Sequence, residues 1–515
     1  MLNATPLLRL YADRRSALLG RQDSVKVQRT ELQRLLHLAC QTRFGREHAF
    51  SEISDVASYQ ARVPLRRYDD FWRDYWQKAF PVLTDLCWPG PIPYFAATSG
   101  TTTGRTRYIP VSRSMIASNQ RAALDVFVHH LHARSGSRVL GGMNFMLGGS
   151  TALKQEASGI QSGDLSGIAA SEVPWWARPR FFPPKSVALM ADWEAKMDAL
   201  ARLSLSQDIR SLGGTPSWIL LFFAKLAELR PQLVHRCKSY FPNFELFIHG
   251  GVNFAPYSRQ FDEFFRGSNT DMRETYAASE GFIAAADRDY GDGLRLIVDG
   301  GIFYEFVPVS EIDAHNPERH WIGTVERDIN YAVVLSSCAG LWSYVLGDTV
   351  RFVETRPPRL LITGRLTYSL SAFGEHLIGE EIDAAVAAAA QAIDCHVIDY
   401  TVTTVFPSAS NQRGGHLFLV EFSTQVDEAW LSDFARSLDE ALCSENQDYR
   451  DHRAGDFGMV PPRLYAVRPG SFAAWLKSAG RLGGQNKVPR VLSDPATVQE
   501  LCGFLERNRM IYGSL

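Results

Sequence analysis

The 515-residue chain has no excess of either charge: 54 Lys+Arg stand against 56 Asp+Glu, a formal net charge of −2. That leaves no electrostatic reason to expect a nucleic acid or an anionic membrane as partner. Long apolar runs are also missing. The longest, Trp218 to Ala224, falls far short of the roughly 20 residues that a spanning helix needs. Cysteine is sparse, with 7 residues standing singly at 40, 87, 237, 338, 395, 443 and 502. No CxxC and no His/Cys cluster at metal spacing occurs among them, so they read as buried thiols in a reducing compartment. The opening MLNATPLLRLYADRRSALLG is interrupted by charges and reads neither as a secretory signal nor as a span. A cytoplasmic, monomeric protein is the expectation. No internal repeat or low-complexity tract occurs, and no P-loop.

In place of a P-loop stands Pro93 to Ser112, PYFAATSGTTTGRTRYIPVS. Tyr94 to Ala97 reads as a strand entering a hydroxyl-rich turn, and Tyr108 to Val111 as the strand leaving it. Only three residues lie between Gly100 and Gly104 where a P-loop has four, Arg105 stands where a P-loop has lysine, and a strand follows instead of a helix. Glycines allow close backbone approach, while hydroxyls, backbone N–H groups and Arg105 and Arg107 offer donors to an anionic oxygen cluster. A nucleoside triphosphate fits that chemistry. The competing reading is a Ser/Thr-rich surface hairpin.

The remaining chain reads as α/β, with strands interleaved among helices. The length calls for more than one domain. Leu32, Leu35, Leu36 and Leu38 to Cys40 carry helical periodicity, and Val63 to Lys78 reads as an extended entry followed by an amphipathic helix capped near Tyr68 and Asp69. Arg113 to His132 is expected to be a helix starting close to the turn. Gly148 to Glu172, rich in Gly, Ser and Ala, reads as an irregular lid or wall on the substrate side. His249, at the end of the strand Phe244 to Ile248, reads as a hydrogen-bonded structural histidine, with ligand contact the alternative. From about residue 370 a β-α-β succession makes a smaller module. The division expected is a large N-terminal domain over 1–365, a hinge at 366–371 and a small mobile α+β C-terminal domain over 372–515.

Three separated stretches, SGTTTGRTRYIPV, YAASEGFIAA and YVLGDTVRF, resemble in order and spacing the nucleotide motifs of the Gretchen Hagen (auxin-responsive) acyl-acid-amido synthetases. This family is a branch of the adenylate-forming superfamily. FGREHAFSEI, VPLRRYDDF, FYEFVPV, GEHLIGEEI, VRPGSF and GQNKVPRV add to the likeness, which extends over nearly the whole chain. It implies a large adenylation domain, a small mobile domain and a two-step reaction. A carboxylic acid attacks the α-phosphate of ATP with Mg2+ bound, and the amine of an amino acid then displaces AMP to form an amide.

By that resemblance Thr98, Ser99, Thr101 and Thr102 bind the β- and γ-phosphates, Glu280 ligates magnesium, Tyr276 stacks on adenine and Asp348 accepts from the ribose hydroxyls. Arg365 contacts the nucleotide beside the hinge, and Lys487 reaches the α-phosphate region, making Lys487 and Glu280 the catalytic pair. Each has a plain alternative: core packing for Tyr276, a solvated turn for Glu280, Asp348 and Lys487, a surface ion pair for Arg365. Phe127, Phe145, Met146 and Phe254 suit an aromatic or medium-sized hydrophobic acid, with core packing the competing role. The chain departs from the family pattern at Ala278 (often serine), Val345 (often arginine), Arg107 (often lysine) and His376 (usually lysine). Two further functions stay open: an adenylating ligase with coenzyme A or a carrier thiol as acceptor, and a catalytically silent small-molecule binding protein.

Overall fold

A computed structural model describes residues 2–98, 106–148, 153–188, 190, 193–251, 254, 258–366, 369–370, 373, 375, 377–395, 397–407, 413–422, 426–456, 458–478, 491–492 and 495–512. They form two units. One is built from Met1–Thr98, Arg107–Phe254 and Ser258–Leu366; the other centres on Thr367–Leu515.

The first unit begins with helices whose starts are written locally. The Asp23 carboxylate accepts from the backbone N–H of Val25 and Lys26 and so caps helix Ser24–Ala39. Leu32, Leu35, Leu36 and Ala39, at helical spacing, are its buried stripe, while Leu38 is exposed. The extended entry expected before Tyr68 is present: Arg66 bridges in parallel to Tyr344. The helix after it is not regular. It runs over Tyr68–Phe71 and widens into a π turn over Trp72–Trp76, with Gln77 N–H donating to the Trp72 carbonyl. The wider turn brings Tyr68, Phe71, Tyr75 and Trp76 to one buried face, where Phe71 stacks on Trp76 at 5.1 Å.

That aromatic face carries the hydroxyl-rich hairpin. Strands Tyr94–Thr98 and Arg107–Val111 pair antiparallel from Tyr94↔Val111 to Thr98↔Arg107, and the Tyr108 N–H donates to the Tyr68 hydroxyl at 3.0 Å. The stretch expected to be an irregular lid is ordered where described. Strands Lys154–Ala157 and Ile160–Gly163 form a hairpin, Ile160–Gly163 pairs in parallel with Tyr94–Thr98, and helix Leu165–Ser171 follows. Gly159 turns that hairpin at φ 74°, a left-handed conformation that glycine adopts without Cβ strain.

A 12-stranded mixed sheet forms the body of the unit. Four of its strands, Met143–Leu147, Ile209–Gly214, Leu246–Gly250 and Asp271–Ala278, run parallel to one another. The rest is largely an antiparallel meander that includes Ile302–Pro308, Asn330–Ser337, Tyr344–Thr355 and Pro358–Arg365. Helix Arg113–Ala133 starts at Ser112, whose hydroxyl accepts from Met115 N–H and donates to the Cys338 carbonyl. Further along this helix His130 bonds Asp271 at 2.8 Å.

The second unit is a four-stranded sheet in the order Arg463–Val467, Gly415–Phe422, Val397–Val405, Val491–Leu492. Helices Gly379–Ala392 and Glu428–Glu445 pack with it over a core of Val402, Phe418, Val420, Phe434 and Leu438. A large α/β unit with a smaller α+β unit is the class expected from the sequence. The thiols differ from expectation. All 7 are free, but only Cys87, Cys237 and Cys338 are buried, and Cys40, Cys395, Cys443 and Cys502 are partly exposed. Among the described residues no helix is long and apolar enough to cross a membrane.

Glu245 yields a pH prediction. Burial alone would raise its carboxyl, but bonds from His130, Ser137, the Arg138 N–H and Arg210 prevail and hold it down at about 2. A depressed carboxyl stabilises the fold above its unfolded value, and that contribution disappears as pH falls toward the folded one. Glu245→Gln should therefore lower the urea midpoint at pH 5 and converge on the native protein at pH 2–3. Parallel midpoint curves for the two proteins would contradict the assignment.

Candidate active site

The site is built where the turn Cys338 to Ser343 feeds strand Tyr344–Thr355. Gly340 at φ 87° and Ser343 at φ 43° shape that turn, and a buried polar network holds it. Glu305, fully buried, accepts from Arg319, Gln60 and Ser343. Tyr59 bonds Ser336 at 2.6 Å and lies at hydrogen-bond distance, 3.0 Å, from Ser343 Oγ. The strand leaving the turn therefore has a fixed starting point.

From it project Tyr344 and, four residues on, Asp348. Tyr344 is 3% exposed and its phenol donates to the carboxylate of Glu280. Burial and that carboxylate raise the phenol well above its ordinary range. Glu280 sits at the tip of a tight hairpin, between Ala278 and its register partner Gly281, yet is only 8% exposed. It is thus a buried carboxylate and not a solvated turn residue. The Phe282 N–H next to it donates to Asn119 of helix Arg113–Ala133 at 3.0 Å. Arg107 at the foot of the hydroxyl-rich hairpin lies over the Tyr68 ring at 5.1 Å and acts electrostatically on Tyr344.

Asp348 is buried and accepts from the Tyr276 hydroxyl at 2.8 Å. Gly347 before it has φ 96° with open space where a Cβ would stand. Backbone conformation alone therefore calls for glycine there. Arg365 lies directly across the ladder from Asp348. Thr98 ends its strand opposite Arg107, whereas Ser99, Thr101, Thr102, His376 and Lys487 lie outside the described residues. Val345, where arginine is frequent in the family, packs against Val307 and Val334.

The four apolar candidates separate. Phe127 packs with Leu8, Ala12, Val128 and Leu131 between the helices Thr5–Gly20 and Arg113–Ala133. Phe145 is fully buried and meets Phe182 and Phe222 edge-on at 4.8 and 5.1 Å. Met146 is 43% exposed, its sulfur lying 2.6 Å from where a Cβ on Gly213 would be. Phe254 stacks on His249 at 3.9 Å. His249 is not the hydrogen-bonded structural histidine expected. It is 1% exposed and its Nδ1 has no hydrogen-bond partner, and burial pushes the ring down to about 3. Its register partner on the neighbouring strand, Glu274, has a carboxyl that burial pushes up to about 7. Sequence reasoning missed Tyr344, Asn119 and Glu274. Only Glu274 had a local signal, since it stands two residues before Tyr276 and strand alternation places both on one face.

Sequence models of the GH3 family match in chain order: the GH3 family N-terminal domain over residues 20–160, the central domain over 295–365 and the C-terminal domain over 380–496. The chain is 26% identical over 260 residues to an indole-3-acetic acid-amido synthetase, GH3.8, of Oryza sativa subsp. indica, a stretch covering 46% of this chain and 42% of the relative. It is 27% identical over 264 residues to a probable indole-3-acetic acid-amido synthetase, GH3.9, of Oryza sativa subsp. japonica, covering 46% and 58%. These alignments thus span about half the length of the relatives. Among solved structures, the AtGH3.15 acyl acid amido synthetase in complex with 2,4-DB superposes with a TM-score of 0.59 at 18% identity, over 97% of this chain and 96% of that one. The fold is shared along the full length. With the three family domains matched in order over more than half of its residues, the chain belongs to the GH3 family.

Proposed function

We propose that this protein is an ATP-dependent acyl-acid amido synthetase that activates a carboxylic acid as its adenylate and transfers the acyl group to the amine of an amino acid. The observation that carries the reading is the meeting of Tyr276 with Asp348 and of Tyr344 with Glu280, with Arg107 of the hydroxyl-rich hairpin acting on the same phenol. A carboxylate is a poor acyl donor because its leaving group would be oxide. Adenylation substitutes AMP, and the site has the groups that such a step needs.

In this mechanism Tyr276 presents its ring to adenine, and Asp348, an acceptor-only carboxylate, takes the ribose cis-diol. Thr98, Ser99, Thr101 and Thr102 supply hydroxyl and backbone donors as charge moves onto the departing pyrophosphate. Arg107 holds positive charge at the foot of the same hairpin, and Arg365 contacts the nucleotide from the strand opposite Asp348. Magnesium keeps phosphate and water among its ligands, so one protein carboxylate suffices. Glu280 fits that part, and among the described residues no group of three or more His, Cys, Asp or Glu could hold a metal by itself. When bound, the ion would neutralise phosphate charge.

Lys487 of GQNKVPRV would place a cation on the α-phosphate region during adenylation. The small domain would then turn about 366–371 and present another face for the amine. Lys487→Ala should slow acid-dependent pyrophosphate release while leaving amide formation from supplied acyl-adenylate nearly intact. Full-rate adenylation with collapsed amide formation would remove Lys487 from this role.

The test of the whole reading is pyrophosphate release from Mg-ATP over aromatic, indolic and aliphatic acids, with and without amino acids, followed by product mass. Release together with an acyl-amino acid mass supports it. Release without an amide shifts the acceptor to coenzyme A or a carrier thiol, and ATP binding without release points to a silent binding protein.

A further inference from the structure

We propose that His249 and Glu274 form a polar subsite in the acyl-acid pocket that hydrogen-bonds an oxygen substituent, hydroxyl or carbonyl, on the body of the acid. The preferred substrates are then oxygenated aromatic or cyclic acids in place of their plain hydrocarbon counterparts. This rests on the ligase reading above and narrows its substrate class.

The placement is that of a ligand site. Parallel pairing sets His249 opposite Glu274 on adjacent strands, so their side chains leave the same face of the sheet about 4.8 Å apart along the ladder. His249 stands next to last in its strand Leu246–Gly250, at the carboxyl-end side where ligands bind in open α/β sheets. On the other side of His249 its register partner is Gly214, which puts no side chain beside the ring. Beyond it, among the described residues only Thr215 Oγ1, at 3.9 Å, comes within 4 Å of where a Cβ on Gly251 would stand. Two residues after Glu274, on the same face, is Tyr276, placed here at the nucleotide.

The walls are aromatic. His249 stacks on Phe254 at 3.9 Å and lies 5.2 Å from Phe247, and Tyr290, itself half-exposed, meets Phe254 edge-on at 5.2 Å. A few convergent polar groups in an apolar aromatic frame is how small-molecule pockets fix orientation. Here the polar groups lack protein partners. His249 Nδ1 is buried with none, and among the described residues none hydrogen-bonds the Glu274 carboxyl. Buried polar groups are ordinarily satisfied, so the orphan Nδ1 of His249, with the half-buried Glu274 carboxyl opposite it, is a place for a ligand atom. A neutral imidazole and a carboxyl held partly protonated at neutral pH by burial offer both a donor and an acceptor. That suits a hydroxyl or a carbonyl and disfavours a hydrocarbon, which would leave both groups unpaired.

The experiment uses the full-length protein and acid pairs differing by one oxygen: benzoic and 4-hydroxybenzoic, phenylacetic and 4-hydroxyphenylacetic, cyclohexanecarboxylic and 4-oxocyclohexanecarboxylic. Two readouts are taken, kcat/KM for pyrophosphate release and equilibrium binding by thermal shift without ATP. In the native protein the oxygenated member of at least one pair is expected to be preferred by about 10²-fold or more, since a site built to hydrogen-bond rejects the analogue lacking that group. Glu274→Leu should bring the ratio to within a few-fold, whereas Glu274→Gln, which keeps a donor and an acceptor, should retain most of it. His249→Phe should reduce it independently. Selective binding without pyrophosphate release would uphold the subsite and overturn the ligase reading. Turnover or binding of both members alike, a ratio unchanged in Glu274→Leu, or no acid bound at all would overturn the subsite.

Discussion

Glu280→Ala is expected to slow acid-dependent pyrophosphate release by about 10²- to 10³-fold, equivalent to about 3–4 kcal/mol of transition-state stabilisation. The carboxylate is 8% exposed and tied to Tyr344, so two different losses are combined in that variant: the charge that the proposed mechanism sets at the phosphates and a partner for a buried phenol. Three variants separate them. Glu280→Gln keeps an acceptor for Tyr344 but no charge, and should be nearly as slow as Glu280→Ala if charge is what the step requires. Tyr344→Phe keeps the charge and loses only the bond, which is expected to cost about 10- to 10²-fold because one hydrogen bond to a charged group contributes about 1.5–3 kcal/mol. A fast Glu280→Gln beside a slow Glu280→Ala would instead make Glu280 a positioning residue for Tyr344. An undiminished rate for all three at saturating magnesium would remove the carboxylate from the site.

What the sequence announced and what it hid follow from how local each cause is. The hairpin strands around the hydroxyl-rich turn were legible because Tyr94 to Ala97 and Tyr108 to Val111 are short apolar runs flanking glycines. The helix Ser24–Ala39 was legible because its stripe has helical spacing. Gly347 carries its reason in its own φ of 96°. Order within Gly148 to Glu172 was hidden, since Ile160–Gly163 is held by pairing with Tyr94–Thr98, about 60 residues away in sequence, and Lys154–Ala157 pairs onto it in turn, neither by a pattern of its own. The π turn at Trp72–Trp76 is likewise set by what Tyr75 and Trp76 pack against. At the site, motif residues Tyr276, Glu280 and Asp348 could be named one by one, but their partners could not. Tyr344 reaches Glu280 across 64 positions, and the stacking of His249 on Phe254 follows from a chain reversal. An apolar strand around His249 suggested a satisfied ring, and only the fold reveals the orphan Nδ1.

Arg319→Ala should be the most destabilising of the substitutions considered, by about 3–5 kcal/mol, because it leaves a buried carboxylate without its counter-charge. Glu305 is completely buried, and Arg319 meets it through two nitrogens at 3.0 Å each. The same guanidinium donates to the carbonyls of Gln60 and Val63 and to Ser343 Oγ. In a unit of this size such a loss lowers the thermal midpoint by about 5 °C. The consequence reaches the site, because Ser343 starts the strand that carries Tyr344 and Asp348, and its backbone bridges to Arg66. Adenylation should therefore fall more steeply with temperature in the variant than its unfolding curve alone accounts for. The paired change Arg319→Met with Glu305→Leu removes both charges and should recover much of the stability, since neither ion is then left buried alone. If the single variant melts with the native protein, the ion pair is energetically neutral and the turn at Ser343 is held by its backbone conformation instead.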